Sequence, residues 1–379
     1  MNDKFDKPDK FEDAWNHPDI WNRRRWRESI IKELNKMLKH KVWERCNSRD
    51  IPNGQRPIKY KWVFEIKRNG VYRSRLVACG YSQIPGIDFT ESHAPVVNDV
   101  TCRLLYTTQM VYKHVAKTVD IETAFLHGVL RDELYMATPK GMNYGKHECC
   151  KLIKAIYGTV QAAATFFKTV TKSFKEIGFE PSRIDPCLFM RGEGKDIVYM
   201  ALYVDDLYII GNLENVDKAI GDVQSKYKLK LGEGTSDYLS CEVKFNKDMT
   251  KAWIGQPPQI KKLKQSYGSL TKGVRLCATP GTPNLVIVRP EDHDKTRLND
   301  EDQKVYRSCV GMLLYLVKYS RPDITNAVRE LTKCMDKANK AAYKECTRVL
   351  KYVIETEDYG LLTFALCATS LSCFLSCAF

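Results

Sequence analysis

Residues 197–212, Ile-Val-Tyr-Met-Ala-Leu-Tyr-Val-Asp-Asp-Leu-Tyr-Ile-Ile-Gly-Asn, constrain this chain more than any other stretch. Two runs rich in β-branched and aromatic residues flank Val204, Asp205 and Asp206, and three residues are few enough for a hairpin connection. Nothing there supplies the Asn-Gly or Asp-Gly chemistry of a common tight turn, so the adjacent carboxylates need another explanation. Like charges side by side raise the energy of a bare site, and a divalent cation with its preference for hard oxygen ligands removes that penalty. The competing reading is a polar hairpin tip in solvent. A third carboxylate favours the first, because residues 119–126 change at Asp120 from an extended apolar pattern to a helix-compatible one. If that strand lies beside the hairpin in one sheet, Asp120 joins Asp205 in clamping two Mg²⁺ ions, with Mn²⁺ as a substitute. Such an arrangement serves phosphoryl transfer between nucleotides, where positioning and charge neutralisation supply most of the catalysis.

Composition narrows the partners. With 379 residues and 44% hydrophobic content the chain can bury a sizeable core, which excludes a disordered tail or linker and suggests two or three subdomains. The 60 Lys and Arg against 46 Asp and Glu give a formal net charge of +14, which favours a polyanionic partner. Those basic residues are spread along the chain, as a groove tracking a phosphate backbone requires. None of the 14 cysteines forms a Cys-x-x-Cys pair, and Cys149-Cys150 beside His147 lacks metal-ligand spacing. They read as reduced core cysteines, and with a polar stretch after Met1 they fit a cytoplasmic or nuclear setting.

Along the chain, residues 1–25 are polar and broken by Pro8 and Pro18, and read as a poorly ordered lead-in. Trp26, Ile30, Leu34 and Met37 recur at helical spacing and predict an amphipathic helix. Its basic start allows phosphate contacts with Trp26 stacked on a base, or a solvated helix start with a buried Trp. Residues 59–78 read as two strands joined at Asn69-Gly70, a flat and mobile ribbon. Residues 100–115 and 216–227 predict helices, and 229–245 returns to strand-like alternation around Tyr238 and Leu239. Residues 277–304, with prolines at 280, 283 and 290, read as a linker. Beyond it, 305–317 is an apolar helix, Ser320-Arg321-Pro322-Asp323 looks like a capped helix start, and Ala342, Cys346, Val349, Leu350 and Val353 line a last helix.

Tyr203-Val204-Asp205-Asp206, with Asp120 upstream, resembles the active-site set of reverse transcriptases, and the surrounding blocks resemble the copia-type branch of LTR retrotransposons. The blocks are Lys61-Trp-Val-Phe-Glu-Ile-Lys, Arg75-Leu-Val-Ala-Cys-Gly-Tyr-Ser-Gln, Gly86-Ile-Asp-Phe, Ala94-Pro-Val-Val, Leu134-Tyr-Met, Ile184-Asp-Pro-Cys-Leu-Phe, and Tyr306-Arg-Ser-Cys-Val-Gly through Arg321-Pro-Asp-Ile. They come in the family's order and span residues 26–360. The resemblance implies an α+β right-hand polymerase of fingers, palm and thumb, with an antiparallel palm sheet and a helical C-terminal connecting region. Residues 26–227 would form fingers and palm, 228–276 the primer grip and thumb, and 305–360 the connecting region. Asp120, Asp205 and Asp206 become the catalytic and metal-binding set, with Asp120 and Asp205 binding the metals and Asp206 assisting or orienting them. Lys67, Arg73, Arg75, Phe125, Tyr157 and Gln161 become nucleotide contacts, Phe125 lying under the sugar. Tyr203, Val204, Tyr238 and Leu239 would meet the primer or template. The implied partners are an RNA or DNA template with its primer and deoxynucleoside triphosphates, with no membrane, in a cytoplasmic virus-like particle or the nucleus.

The chain departs from the family pattern in three places. The family's Leu-Tyr-Gly-Leu-Lys-Gln-Ala-Pro-Arg-Ala-Trp type of block appears as Ile156-Tyr-Gly-Thr-Val-Gln-Ala-Ala-Ala-Thr-Phe-Phe, so two positive charges are gone at Val160 and Ala164 and a proline at Ala163. Ser240 stands where the primer grip has glycine. Residues 361–379 carry no charge and resemble no ribonuclease H, and are read as a truncated or frame-shifted end in preference to a membrane anchor. Two rivals therefore stay open: a metal-dependent nuclease, and a catalytically inactive nucleic-acid-binding remnant.

Overall fold

The computed structural model describes residues 7–67, 70–232, 241–276, 278–291 and 293–365. The elements in chain order are α1 (Phe11–Trp15), α2 (Ile20–Lys39), β1 (Trp43–Asn47), β2 (Tyr60–Ile66), β3 (Tyr72–Ala78), α3 (Asp99–Tyr112), β4 (Val115–Ile121), β5 (Val129–Ala137), β6 (Glu148–Lys154), α4 (Ala162–Glu176), β7 (Glu180–Pro181) and β8 (Leu188–Arg191). They continue with β9 (Val198–Tyr203), β10 (Asp206–Gly211), α5 (Leu213–Lys226), β11 (Leu229–Leu231), β12 (Glu242–Phe245), β13 (Lys251–Gly255), α6 (Pro257–Tyr267), α7 (Asp300–Tyr319), α8 (Thr325–Thr332), α9 (Lys340–Glu355) and β14 (Leu361–Phe364). Helices and antiparallel ladders coexist, as an α+β fold requires. Two compact units result, one built from the chain up to Val96 with Ile121–Pro181 and Asp222–Lys228, the other from Val97–Asp120, Ser182–Gly221 and Leu229–Phe379.

In the first unit, the β2–β3 hairpin and a sheet ordered β1-β6-β5 share a core with α2. The helix forms as its spacing predicts, burying Trp26, Ile30, Leu34 and Met37. Trp26 is fully buried with Phe64 and Tyr72 at its edges, ring centroids 5.3 and 4.5 Å away, so it is a core residue and not a base-stacking one. Burial of such a ring contributes about 2 to 3 kcal/mol. The hairpin is not free, because Trp62 and Phe64 are buried in the core it shares with this helix.

The expected lead-in is corrected over its described part. Residues 11–15 form α1, and α2 begins at Ile20 with Asp19 as its cap, its carboxylate accepting from the Asn22 N–H at 2.7 Å. Phe11 stacks on Trp15 and lies 6.0 Å from Trp62, while Arg27 donates to the Trp15 carbonyl. Two aromatic anchors outweigh a polar average, and Pro18 falls just before the cap where it breaks nothing.

In the second unit, an antiparallel sheet runs β11-β4-β10-β9-β8. Helix α3 packs behind it, with the Tyr208 hydroxyl donating to Gln109 Oε1 at 2.6 Å. A smaller sheet, β12-β13-β14, contains the start of the uncharged C-terminal stretch as its edge strand. Helices α6 to α9 enclose a separate apolar core that includes Ala342, Cys346, Val349, Leu350 and Val353. The segment expected as a linker has no helix or strand among its described residues between 272 and 299, yet it is strapped to these helices. Glu345 accepts from the Thr282 N–H and hydroxyl at 2.6 and 2.8 Å, Ile287 is buried, and the Leu298 N–H reaches the Ala338 carbonyl. Ser320 does not cap a helix start, because its hydroxyl donates to Gln256 while Pro322–Ile324 forms a 3₁₀ turn ahead of α8. No described helix is long and apolar enough to cross a membrane.

Candidate active site

The carboxylates come together through strand register. Strands β9 and β10 pair antiparallel, with Asp206 opposite Tyr203, and β4 pairs on the other edge of β10 with Asp206 opposite Asp120. Asp205 sits between, in the connection. The connection is two residues long, one fewer than expected, because Asp206 already belongs to the ladder.

That tighter turn has a cost. Val204 has φ of +58° and Asp205 is not among the positive-φ residues, the sign pattern of a type II′ turn whose first position ordinarily wants glycine. A β-branched residue held there stores strain of about 1 to 3 kcal/mol, and such strain gathers at functional turns.

Electrostatics mark Asp206. Burial, then the neighbouring charges of Asp205 and Asp120, push its carboxyl up from the ordinary aspartate value of 3.8 to about 6. No positive group is among those causes. Hard oxygen donors under mutual repulsion fit a divalent cation, which would reverse the sign of the local field. The oxygens are not drawn onto one point, however: among the described residues no group of three or more His, Cys, Asp or Glu has metal-holding geometry.

The residues expected to touch a nucleotide lie in the first unit. Val63 faces Arg75 and Glu65 faces Arg73 across the hairpin, which puts both arginines on the face away from α2. The Arg75 guanidinium lies 5.0 Å over the Tyr157 ring, and its Nε is buried without a hydrogen bond. Tyr157 in turn meets the half-buried Phe125 edge-on at 5.1 Å. Three expected contacts thus form one cluster. Glycines allow it, since the Ala78 N–H bonds the Tyr157 carbonyl at 2.8 Å, and Gly158, at φ +87°, would place a Cβ 2.2 Å from the Ala78 oxygen. Lys67 is exposed at the hairpin end.

Gln161 stands apart. It is buried, its Oε1 accepts from Gln83 at 2.9 Å, and its Nε2 donates to the Asp88 carbonyl at 3.1 Å. Gln83 also accepts from the Val160 N–H at 2.8 Å, so the altered block is braced by side chains of the first unit. Tyr238 and Leu239 lie outside the described residues.

Sequence reasoning missed two organisers. Gln83 is one, and Asp185 is the other: its buried carboxylate accepts from the Asn98 N–H at 2.9 Å, the Thr101 hydroxyl at 2.6 Å and the Cys187 N–H at 2.9 Å. It thereby fixes the start of α3 behind the sheet that carries Asp120 and Asp206. Its one signal was a place inside a block that matched the family.

Comparison with known proteins is consistent with this geometry. Residues 40–272 match the family described as reverse transcriptase (RNA-dependent DNA polymerase). The chain is 27% identical over 357 residues to a retrovirus-related Pol polyprotein from transposon TNT 1-94 of Nicotiana tabacum, covering 92% of this chain and 26% of that protein. It is 30% identical over 346 residues to the Pol polyprotein of transposon RE2 of Arabidopsis thaliana, covering 89% and 23%. The chain therefore spans about a quarter of the length of these curated relatives. A solved foamy viral protease-reverse transcriptase in complex with double-stranded DNA aligns with 86% of this chain and 48% of that one, at 13% identity and a TM-score of 0.44.

Proposed function

Because the chain belongs to the reverse transcriptase (RNA-dependent DNA polymerase) family, in its copia-type retrotransposon branch, we propose that it adds deoxynucleotides to a primer 3′-hydroxyl on an RNA or DNA template. The observation that carries this reading is the register that sets Asp206 opposite Asp120 with Asp205 in the adjoining turn. Asp120 and Asp205 would hold two Mg²⁺ ions, with Asp206 orienting them, and the ions when bound would supply charge neutralisation at the transferring phosphate. The protein's own part is positional. The strained turn presents Asp205, the paired strands hold Asp120 and Asp206, and Tyr203 and Val204 form the floor beneath the primer end.

Lys67, Arg73 and Arg75 are assigned to triphosphate oxygens, where positive charge counts most as negative charge develops. Phe125, lying against Tyr157, is assigned to the sugar, and Gln161 with Tyr157 completes the nucleotide set. Tyr238 and Leu239 are assigned to the primer. The setting that follows is a cytoplasmic virus-like particle or the nucleus.

A second reading is a remnant that binds nucleic acid without catalysis. It is favoured by Gln161, whose amide is engaged at both ends within the protein, and by the charges absent at Val160 and Ala164. Deoxynucleotide incorporation on a primed homopolymer RNA, in Mg²⁺ or Mn²⁺, separates the two. Extension by the purified chain that vanishes in Asp205→Asn supports the polymerase. Salt-sensitive binding without extension in either protein supports the remnant.

A further inference from the structure

Among the described residues of the first unit, two thiols face each other across β1 and β6, and neither belongs to the residues assigned to nucleotide or metal. Cys46 on β1 and Cys149 on β6 are direct cross-strand partners, with their sulfurs 3.1 Å apart. The Ser48 N–H bonds the His147 carbonyl two rungs further along, and since hydrogen-bonded rungs alternate, Cys46 and Cys149 occupy a hydrogen-bonded rung. The Cα atoms of such a rung lie about 5.5 Å apart, inside the span of about 4.4 to 6.8 Å that a disulfide bridges.

The neighbours keep this pair in register. Arg45 and Glu148 form an ion pair at 2.5 Å across the same strands, and the Arg45 guanidinium also lies 5.0 Å over the Tyr144 ring. Strand alternation turns Cys150 to the opposite face, where it is fully buried in the core and cannot compete for Cys46. Cys46 is half-buried and Cys149 is buried, so one sulfur can be reached from solvent and the other resolves from within.

We propose that Cys46 and Cys149 form a thiol–disulfide site that closes into a cross-strand disulfide with a low-molecular-weight disulfide as oxidant. In the first step the Cys46 thiolate attacks one sulfur of the oxidant, joins it as a mixed disulfide, and releases one small thiolate. In the second, the Cys149 thiolate attacks the Cys46 sulfur and releases the other. The protein loses two electrons and two protons, the oxidant gains them as two thiols, and one S–S bond replaces another. Burial, with Cys46 alongside, pushes the Cys149 thiol up to about 12, so the thiolate that attacks in the second step becomes more available as pH rises. The link closes a loop of about a hundred residues and ties β1 to the strand that runs into the Tyr157 segment.

The test uses the full chain, reduced and then incubated with excess glutathione disulfide at pH 8. Digestion without reductant followed by mass spectrometry is expected to yield one linked peptide pair carrying Cys46 and Cys149, 2 Da lighter than the sum of the free peptides. The thermal midpoint is expected to rise by a few degrees on oxidation in the native chain and not in Cys46→Ser. Accumulation of a glutathione adduct at Cys46 with Cys149 still open to alkylation after unfolding would overturn the proposal. So would a link from Cys46 to any other cysteine.

Discussion

Replacing Asp206 with Asn should make the metal-free protein more stable while abolishing its proposed chemistry. The native carboxyl is raised from 3.8 to about 6, first by burial and then by Asp205 and Asp120. A rise of that size corresponds to nearly 3 kcal/mol, and because the group keeps some contact with solvent we expect about 1 to 2 kcal/mol. The sign follows from proton binding. An acid whose folded value exceeds its unfolded one binds more protons when folded, so its contribution falls as pH rises from about 4 to about 6 and stays at its lowest above that. The advantage of Asp206→Asn should therefore be full at pH 7.5 and shrink markedly by pH 4.5. Urea unfolding in EDTA at both pH values measures it, with unchanged m-values as the sign of a shared end state. Added Mg²⁺ should narrow the gap by stabilising the native chain alone. An Asn variant no more stable than the native chain at pH 7.5, or a gap independent of pH, would refute the reasoning.

Arg75→Ala should raise the KM for deoxynucleotide roughly tenfold with a smaller effect on turnover, and Arg75→Lys should recover part of the loss, in steady-state incorporation with the nucleotide varied. Asp185→Ala removes the acceptor for two N–H groups and a hydroxyl around α3, and should cost about 2 to 4 kcal/mol in urea unfolding. Gly158→Ala places a Cβ against the Ala78 backbone at a positive φ, and should lower the thermal midpoint by several degrees or leave the protein insoluble.

How much of this was legible depended on the range of the interaction. The hairpin could be read because an apolar period of two surrounds Asp205 and Asp206, and α2 because Trp26, Ile30, Leu34 and Met37 repeat at helical spacing. The lead-in was misread because Phe11 and Trp15 owe their order to Trp62, far along the chain. Asp185 and Gln83 each sit inside a block that resembles the family, but their roles come from partners brought near by folding and could not be read from the block. The turn at Val204 was read one residue too long because a valine at positive φ is what a sequence gives least reason to expect.

The segment strapped across α7 to α9 bears on how the folded chain meets a protease. A proline-broken, charge-rich stretch has the composition of a site that proteases cut. A protease needs a run of chain that it can draw out into its cleft. Here Thr282 is held by Glu345, Ile287 by the helical core and Glu330, Arg289 by Asp336, and Leu298 by Ala338. Each anchor must let go before the backbone can be extended, so cutting there requires the segment to be lifted off the helices first. A stretch with the composition of a severable joint is, in the folded chain, one of its guarded seams.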